Sequence, residues 1–251
     1  MPLGKPLIEF DELPSTNSYL LDDISLCSQH GLTVWAHKQT HGRGRAGRTF
    51  ISPSNQVLTF SVVIHSSDPE DRLHLWALWS GLALFRNLHG KGLSNLILKW
   101  PNDLLLDGRK TAGILIEADP LSAESTKLVV GVGINIGSFP QMDTIGQQAT
   151  RIGRVSTLSR EEIALVTIRA IDRAVKQFVM EGLSPIVERW REVDAYENQE
   201  VDLLIGENRV TGRNVGINHT GHLLIETPSG LREFSMGDVS LRPSVGENES
   251  E

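Results

Sequence analysis

The run from Leu96 to Gly137 decides what kind of fold this chain must have. It reads "LILKW", "LLL-DG-RK", "TAGILIEA" and, after a polar gap, "KLVVGVGINIG". These are short apolar segments rich in β-branched residues, and Asp107-Gly108 is a pair that favours a tight hairpin turn. A sheet must carry the middle of the chain. "LTVWAHK" (32–38) and "QVLTFSVVI" (56–64) add two strand signals ahead of it.

Helices are expected around these strands. Leu13 to Gly31 predicts one capped by Ser15 or Thr16, with Leu20, Ile24 and Cys27 on its buried stripe. Pro69 to His89 predicts a long helix with Leu75, Trp79 and Leu82 on one face. Ser159 to Glu181 predicts another. There Ser159 and Glu162 form a capping box, and Ile163, Val166, Ala170, Ala174 and Phe178 mark the buried face. A shorter helix should follow, with Ser184 as cap and Pro185 at its first position. From Glu200 the texture changes: short apolar runs alternate with "GEN", "NHTG", "PSG" and "MGD" turns. That pattern predicts a small all-β module with a boundary near residue 195.

The chain has 251 residues, enough for a large domain with a small appendage. Its 24 basic and 31 acidic residues give 24 − 31 = −7, a charge that repels phosphate backbones and argues against general polyanion binding. A single cysteine, Cys27, excludes an intramolecular disulfide and disfavours cysteine-based zinc sites. "MPLGKPLIEF" lacks the apolar run of a signal peptide, and no stretch has the length of a membrane span. A cytoplasmic protein with no membrane partner is the expectation.

Within this acidic chain lies "KQTHGRGRAGRTFISPSN", Lys38 to Asn55. Gly42, Gly44 and Gly47 fit the spacing G-x-G-x-x-G. A dinucleotide site, however, needs a helix immediately after the glycines, and here Pro53, turn formers and a further strand follow. No phosphate-cradling G-x-x-x-x-G-K-[ST] loop is present either. No acidic residue falls between Asp23 and Asp68, whereas Lys38, Arg43, Arg45 and Arg48 lie close together. The patch lacks interleaved aromatics for stacking nucleic acid. Glycine lets backbone N–H groups approach a ligand, and arginine offers a fork to phosphate or carboxylate. A loop closing over a small anion is favoured over nucleic-acid binding and over a plain solvated turn.

The stretch "KWPNDLLLDGRKTAGILIE" (99–117) carries a second set of polar residues. Taken singly, Lys99 reads as solvated, Asn102 and Asp103 as turn caps and Lys110 as strand decoration. That bland reading weakens when a second basic residue is flanked by Gly108 and Gly113 with a carboxylate nearby able to hold Mg²⁺. "VVGVGIN" adds Gly131 and Gly133 in a buried strand ending at Asn135, where a ligand could approach the backbone.

"STN" (15–17), "QTHGRGRAGR", "KWPNDLLLDGRKTAGILIE" and "VVGVGIN" occur here in the order and spacing that mark biotin protein ligases, and the likeness runs from about residue 8 to 242. The resemblance implies an α+β fold. A mixed β-sheet catalytic domain flanked by helices, of the class II synthetase-like biotin/lipoate ligase type, would span 1–195. A small C-terminal β-barrel would span 196–243 and a disordered tail 244–251. It further implies that biotin and MgATP give biotinyl-5′-AMP and pyrophosphate, and that a lysine of a biotin carboxyl carrier protein then takes the biotin. Biotin and ATP are substrates in this reading, with Mg²⁺ accompanying ATP and no tightly bound prosthetic group.

By the same resemblance, Ser15, Thr16, Asn17 and Gln39 would read the biotin ring. Arg43, Gly44 and Arg45 would belong to a loop that orders over biotin and the adenylate. Arg48 would meet the ATP phosphates, and Phe50 would stand where an aromatic wall is usual. Lys110 would reach the biotin carboxylate and the α-phosphate. Asn102, Asp103 and Asn135 would lie on the nucleotide side, with Asp103 the candidate Mg²⁺ ligand; Gly113, Gly131 and Gly133 would be points of backbone approach. Lys110, Arg45 and Asp103 are the catalytic candidates. His41 and Phe50 depart from the family pattern, which more often has a small residue and tryptophan there. Only 14 residues precede Ser15, too few for the DNA-binding domain some members carry, so a ligase without operator binding is expected, as a monomer or homodimer. The rivals are a lipoate–protein ligase, which would need a long apolar tunnel, and a non-catalytic RNA- or nucleotide-binding protein.

Overall fold

The protein is described here as a computed structural model covering residues 6–23, 26, 29–66, 75–122, 125–138, 149–181, 185–236 and 239–244. Its larger sheet has seven strands in the order β1-β2-β3-β7-β6-β5-β4. These are β1 (Leu7–Phe10), β2 (Thr33–Ala36), β3 (Val57–Ser66), β4 (Leu96–Lys99), β5 (Asp103–Leu106), β6 (Arg109–Ser122) and β7 (Ser125–Asn135). β1 and β2 run parallel and every other neighbouring pair antiparallel, so the sheet is mixed.

One face of this sheet is a continuous apolar surface. Leu58, Phe60, Val62 and Ile64 of β3 share a core with Val130, Val132 and Ile134 of β7 and with Ala112 and Ile114 of β6. Helices α2 (Leu75–His89) and α3 (Arg160–Glu181) cover it through residues such as Trp76, Trp79, Leu82, Ile163, Ala170 and Ala174. The capping box forms as its sequence demands: Glu162 N donates to Ser159 Oγ at 3.1 Å, and Ser159 N donates to the Glu162 carboxylate at 2.7 Å. The opposite face holds a smaller core of Leu13, Leu20, Leu32, Val34, Ala36, Val63 and Val129 beneath α1 (Thr16–Asp22).

Helix α1 is shorter than the sequence pattern indicates. Ser15 Oγ caps it, but Asp23 is already extended (φ −99°, ψ 103°) and ends the helix well before Gly31. Ile24 and Cys27 of the expected stripe lie outside the described residues, as do 69–74 of the expected α2, Ser184, and the tail from 245. α4 (Ile186–Arg191) has Pro185 at its N-cap, one position earlier than predicted.

The C-terminal strands β8 (Glu200–Ile205), β9 (Asn208–Ile217), β10 (Leu223–Thr227), β11 (Gly230–Phe234) and β12 (Val239–Pro243) pair in the order β11-β10-β9-β8-β12. The expected β-module is present, but β11 and β12 do not pair with each other, so the ladder stays an open antiparallel sheet and does not close as a barrel. Asp194 fastens this module to the larger domain. Its carboxylate accepts from Trp190 Nε1 on α4 (3.2 Å), Tyr196 N (3.0 Å) and Asn214 Nδ2 on β9 (2.9 Å). Burial pushes its pKa up, and those three donors oppose the rise. Beside it, Leu98 N donates to Val193 O (2.7 Å) and Ala195 N to Leu98 O (2.7 Å), which covers the free edge of β4. Trp100 Nε1 adds a buried bond to Gly221 O at 3.1 Å.

Candidate active site

The site lies on the sheet face that carries α1, and β-register builds its floor. Lys99, Asp103, Gly113, Gly133 and Thr59 stand opposite one another across β4, β5, β6, β7 and β3, forming one row. The next row is Leu115, Gly131 and Ser61. Residues of one row project to the same face. Side chains therefore line the ends of the rows while glycines leave the middle bare, and a cavity of about 300 Å³ opens there. Asn17 and Phe50 lean over the glycines and take part of that space. A Cβ on Gly131 would collide with the Asn17 amide, and one on Gly133 with the Phe50 ring.

Every residue given a binding or catalytic role by the resemblance lines this cavity, including those separated by more than a hundred positions such as Ser15 and Asn135, whereas Lys38, His41, Gly42, Gly47 and Gly108 do not. At one end α1 presents its first turn. Gln39 Oε1 accepts from Thr16 N (2.7 Å) and from Thr16 Oγ1 (3.1 Å), which leaves the Gln39 amide nitrogen available to a ligand. Ser61, fully buried, lies 2.7 Å from Thr16 Oγ1 and 2.5 Å from Asn17 Oδ1. Its alternation with Thr59 in "LTFSVVI" was the available signal: two polar residues two apart in a buried strand mark a polar face.

The glycine-arginine stretch is not an open loop. It folds back as an irregular hairpin with bridges Gln39–Ser52 and Arg43–Thr49 and a bond from Phe50 N to Gly42 O at 2.8 Å. Its tip, Arg45–Gly47, is a tight turn in which Ala46 (φ +53°) and Gly47 (φ +69°) both take left-handed backbone, a conformation that only the glycine adopts without strain. Strand β3 follows, so the dinucleotide reading fails on structure as well as sequence. Arg45 NH1 lies 3.4 Å from Asn102 Oδ1, and its NH2 donates to Met236 O of the C-terminal module. Ser240, Leu241 and Arg242 of that module also line the cavity, a contribution the motifs did not foretell.

At the other end Lys110 Nζ lies 2.6 Å from Asp103 Oδ1. A β-bulge puts it there. Asp103 pairs with Gly113 and Leu104 with Ala112, but Leu105 then pairs with Lys110, leaving Thr111 as the extra residue. Without the bulge, alternation from Gly113 would send Lys110 to the core face beside Ala112. Thr150 N donates to Lys110 O (2.8 Å), and Asn135 Nδ2 donates to Thr150 O (3.1 Å) and Lys110 O (3.4 Å). Asn135 and Asn102, whose Nδ2 donates to Ile114 O at 2.6 Å, both commit their donors to backbone; they hold the site in shape.

Lys99, read from sequence as solvated, is buried at 6% exposure on the cavity wall. Its pKa is lowered to about 8: burial is the main cause, Asp103 opposes it, and Lys110, Arg242 and Arg48 add to it. Asp103 is the one carboxylate among the lining residues, and no group of three or more His, Cys, Asp or Glu able to hold a metal occurs among the described residues. One carboxylate beside an amide suits a Mg²⁺ ion that arrives on a triphosphate and takes its other ligands from phosphate and water.

Comparison with known proteins agrees with this architecture. A model described as the biotin/lipoate A/B protein ligase family matches residues 8–135, and one described as the biotin protein ligase C-terminal domain matches residues 198–242. The chain is 33% identical over 233 residues to the bifunctional ligase/repressor BirA of Escherichia coli, covering 92% of this chain and 72% of that protein. It is 27% identical over 239 residues to the biotin–[acetyl-CoA-carboxylase] ligase of Paracoccus denitrificans, covering 90% and 98%. Among solved structures, the biotin protein ligase from Aquifex aeolicus in complex with biotin and ATP superposes with a TM-score of 0.81 at 31% identity, covering 96% of this chain and all of that one. The match over both sheets, with the ordered motifs gathered around one cavity, means that this chain belongs to the biotin/lipoate A/B protein ligase family.

Proposed function

We propose that the chain activates biotin with ATP and transfers it to a lysine of a biotin carboxyl carrier protein. In the first step a biotin carboxylate oxygen attacks the α-phosphorus. The bond from that phosphorus to the β-phosphate bridging oxygen breaks, and pyrophosphate leaves. In the second, the carrier's lysine amine attacks the acyl carbon of biotinyl-5′-AMP, an amide forms, AMP leaves and a proton is released. The observation that carries this reading is the cavity itself: hydrogen-bonding groups of α1 and Gln39 at one end, bare glycine rows between, and Lys110, Lys99, Arg48 and Arg242 at the other.

Those cations offset the repulsion between an attacking carboxylate and a phosphate, the main electrostatic barrier of the first step. Mg²⁺ bound to the triphosphate would neutralise further charge there, with Asp103 the residue placed to meet it. The hairpin over the cavity would keep water from the labile anhydride. Ser15, Thr16, Asn17 and Gln39 are assigned to biotin, Phe50 and Asn135 to the nucleotide side, and Arg43, Gly44 and Arg45 to the cover. We divide the chain into a catalytic part, 1–195, and a C-terminal part, 196–243, whose segment at 240–242 reaches the cavity. A reaction that uses ATP and a carrier protein supports a cytoplasmic setting as part of this proposal. No helix among the described residues is long and apolar enough to cross a membrane.

The test is ATP–pyrophosphate exchange with biotin, run beside lipoate. Exchange that depends on biotin is expected. Exchange with lipoate alone would keep the fold and reverse the substrate; exchange with neither would reject the enzyme.

A further inference from the structure

Glu117 belongs to none of the roles assigned above, yet two parts of the site meet on it. It lies on β6 two positions beyond Leu115, opposite Val129 of β7, which in turn faces Val63 of β3. In that third row side chains return: Val63 and Val129 pack into the small core under α1, so the row closes one end of the glycine floor. Glu117 Oε2 accepts from Asn17 Nδ2 at 2.8 Å and from Arg43 NH2 at 2.9 Å. A single carboxylate oxygen thus joins the first turn of α1 to the first arginine of the hairpin.

The two bonds differ in weight. Asn17 is 3% exposed, and a carboxylate can only accept, so Glu117 fixes which end of the amide points toward β6. The amide oxygen then faces Ser61 Oγ, 2.5 Å away, which can turn its hydrogen to donate to Asn17 Oδ1. The Arg43 side chain is 43% exposed and that of Glu117 is 24% exposed, so solvent screens their ion pair and its strength alone is modest. Its consequence is geometric, because it ties down the hairpin strand at the point where Arg43 bridges Thr49.

We propose that Glu117 is a positioning residue for the ligation. It holds the Asn17 amide in its reading orientation and anchors Arg43, so that a correctly formed ring subsite and a closed hairpin occur together. This rests on the biotin reading of the cavity. Removing the carboxylate leaves a buried amide donor unpaired and frees the hairpin; replacing it with glutamine keeps an acceptor for Asn17 but removes the charge that Arg43 needs.

The test compares Glu117→Ala, Glu117→Gln and the wild type in two assays. In biotin-dependent pyrophosphate exchange, Glu117→Ala should raise KM for biotin roughly tenfold, the scale for one buried unpaired donor. Its kcat at saturating biotin should stay within a fewfold of wild type, and Glu117→Gln should recover most of the loss in KM. Without ligands, limited trypsin digestion should cut after Arg43 or the neighbouring Arg45 and Arg48 faster in both variants, because neither keeps the ion pair between residue 117 and Arg43. A wild-type KM in Glu117→Ala, or hairpin cleavage at the wild-type rate in both variants, would overturn the proposal. So would a loss of kcat with unchanged KM. Wild-type protein inactive with biotin would reject the functional reading instead, while the digestion would still judge the anchoring.

Discussion

Lys110 and Asp103 meet at 2.6 Å because the ladder between β5 and β6 contains one residue too many. The pair is partly open on the lysine side, with side-chain exposures of 27% and 9%, so Lys110 can leave Asp103 for an incoming anion without crossing the protein.

Lys110→Ala should therefore slow adenylation by roughly 2–4 kcal/mol in activation free energy, the scale for one preorganised charge-stabilising donor. Pre-steady-state formation of biotinyl-5′-AMP measures it. A rate within a fewfold of wild type would reject Lys110 as catalytic. Deleting Thr111 should have a comparable effect on the rate, because restoring alternation turns Lys110 toward the core.

Lys99 predicts a pH dependence. Its pKa in the folded protein is about 8 against an ordinary 10.5, so its charge is complete well below pH 8 and lost as pH rises through that value. If that charge receives phosphate, KM for MgATP should rise above about pH 8, and Lys99→Arg should flatten the rise. The stability term runs the other way. Between about 8 and 10.5 the unfolded chain holds the proton and the folded one does not, so this group's contribution to stability increases with pH over that window. A KM for MgATP that is flat across pH 7–9.5 in the wild type would remove Lys99 from the phosphate site.

Arg45 bridges the hairpin to both Asn102 and the Met236 carbonyl, so it joins cover, floor and C-terminal module. Arg45→Gly should leave thermal stability nearly unchanged but speed dissociation of the adenylate severalfold, roughly the effect of losing one or two charge-assisted hydrogen bonds. Unchanged dissociation, followed by stopped flow, would count against Arg45 as part of the cover.

Gly131→Ala tests the bare floor. The added methyl would strike the Asn17 amide, and overpacking of this kind costs about 1–3 kcal/mol. The expected signature is a sharply raised KM for biotin with a smaller change in KM for MgATP, since Asn17 lies at the α1 end. Equal loss toward both substrates would point to general unfolding, which a melting curve would reveal.

Much of this site was legible before any coordinates. Strand signals with short turns between them fixed a sheet, because β-branched apolar runs of that length have few other ways to be buried. The strand after the glycines ruled out a dinucleotide site, and the Ser159–Glu162 spacing specified a cap that local geometry alone can make. The four ordered motifs carried the family. Other features depend on partners far along the chain, and no local pattern encodes them. Alternation counted back from Gly113 puts Lys110 on the wrong face, and only the register of β5 against β6 shows that Thr111 is extra. Lys99 reads as a solvated strand end, but the row it shares with Asp103, Gly113 and Gly133 buries it. Glu117 looks like an ordinary charge at the end of a strand until α1 and the hairpin fold against it. Residue types and their order thus determined which chemistry is present. Strand register, set by non-local pairing and burial, decided which side chains share a face and can act together.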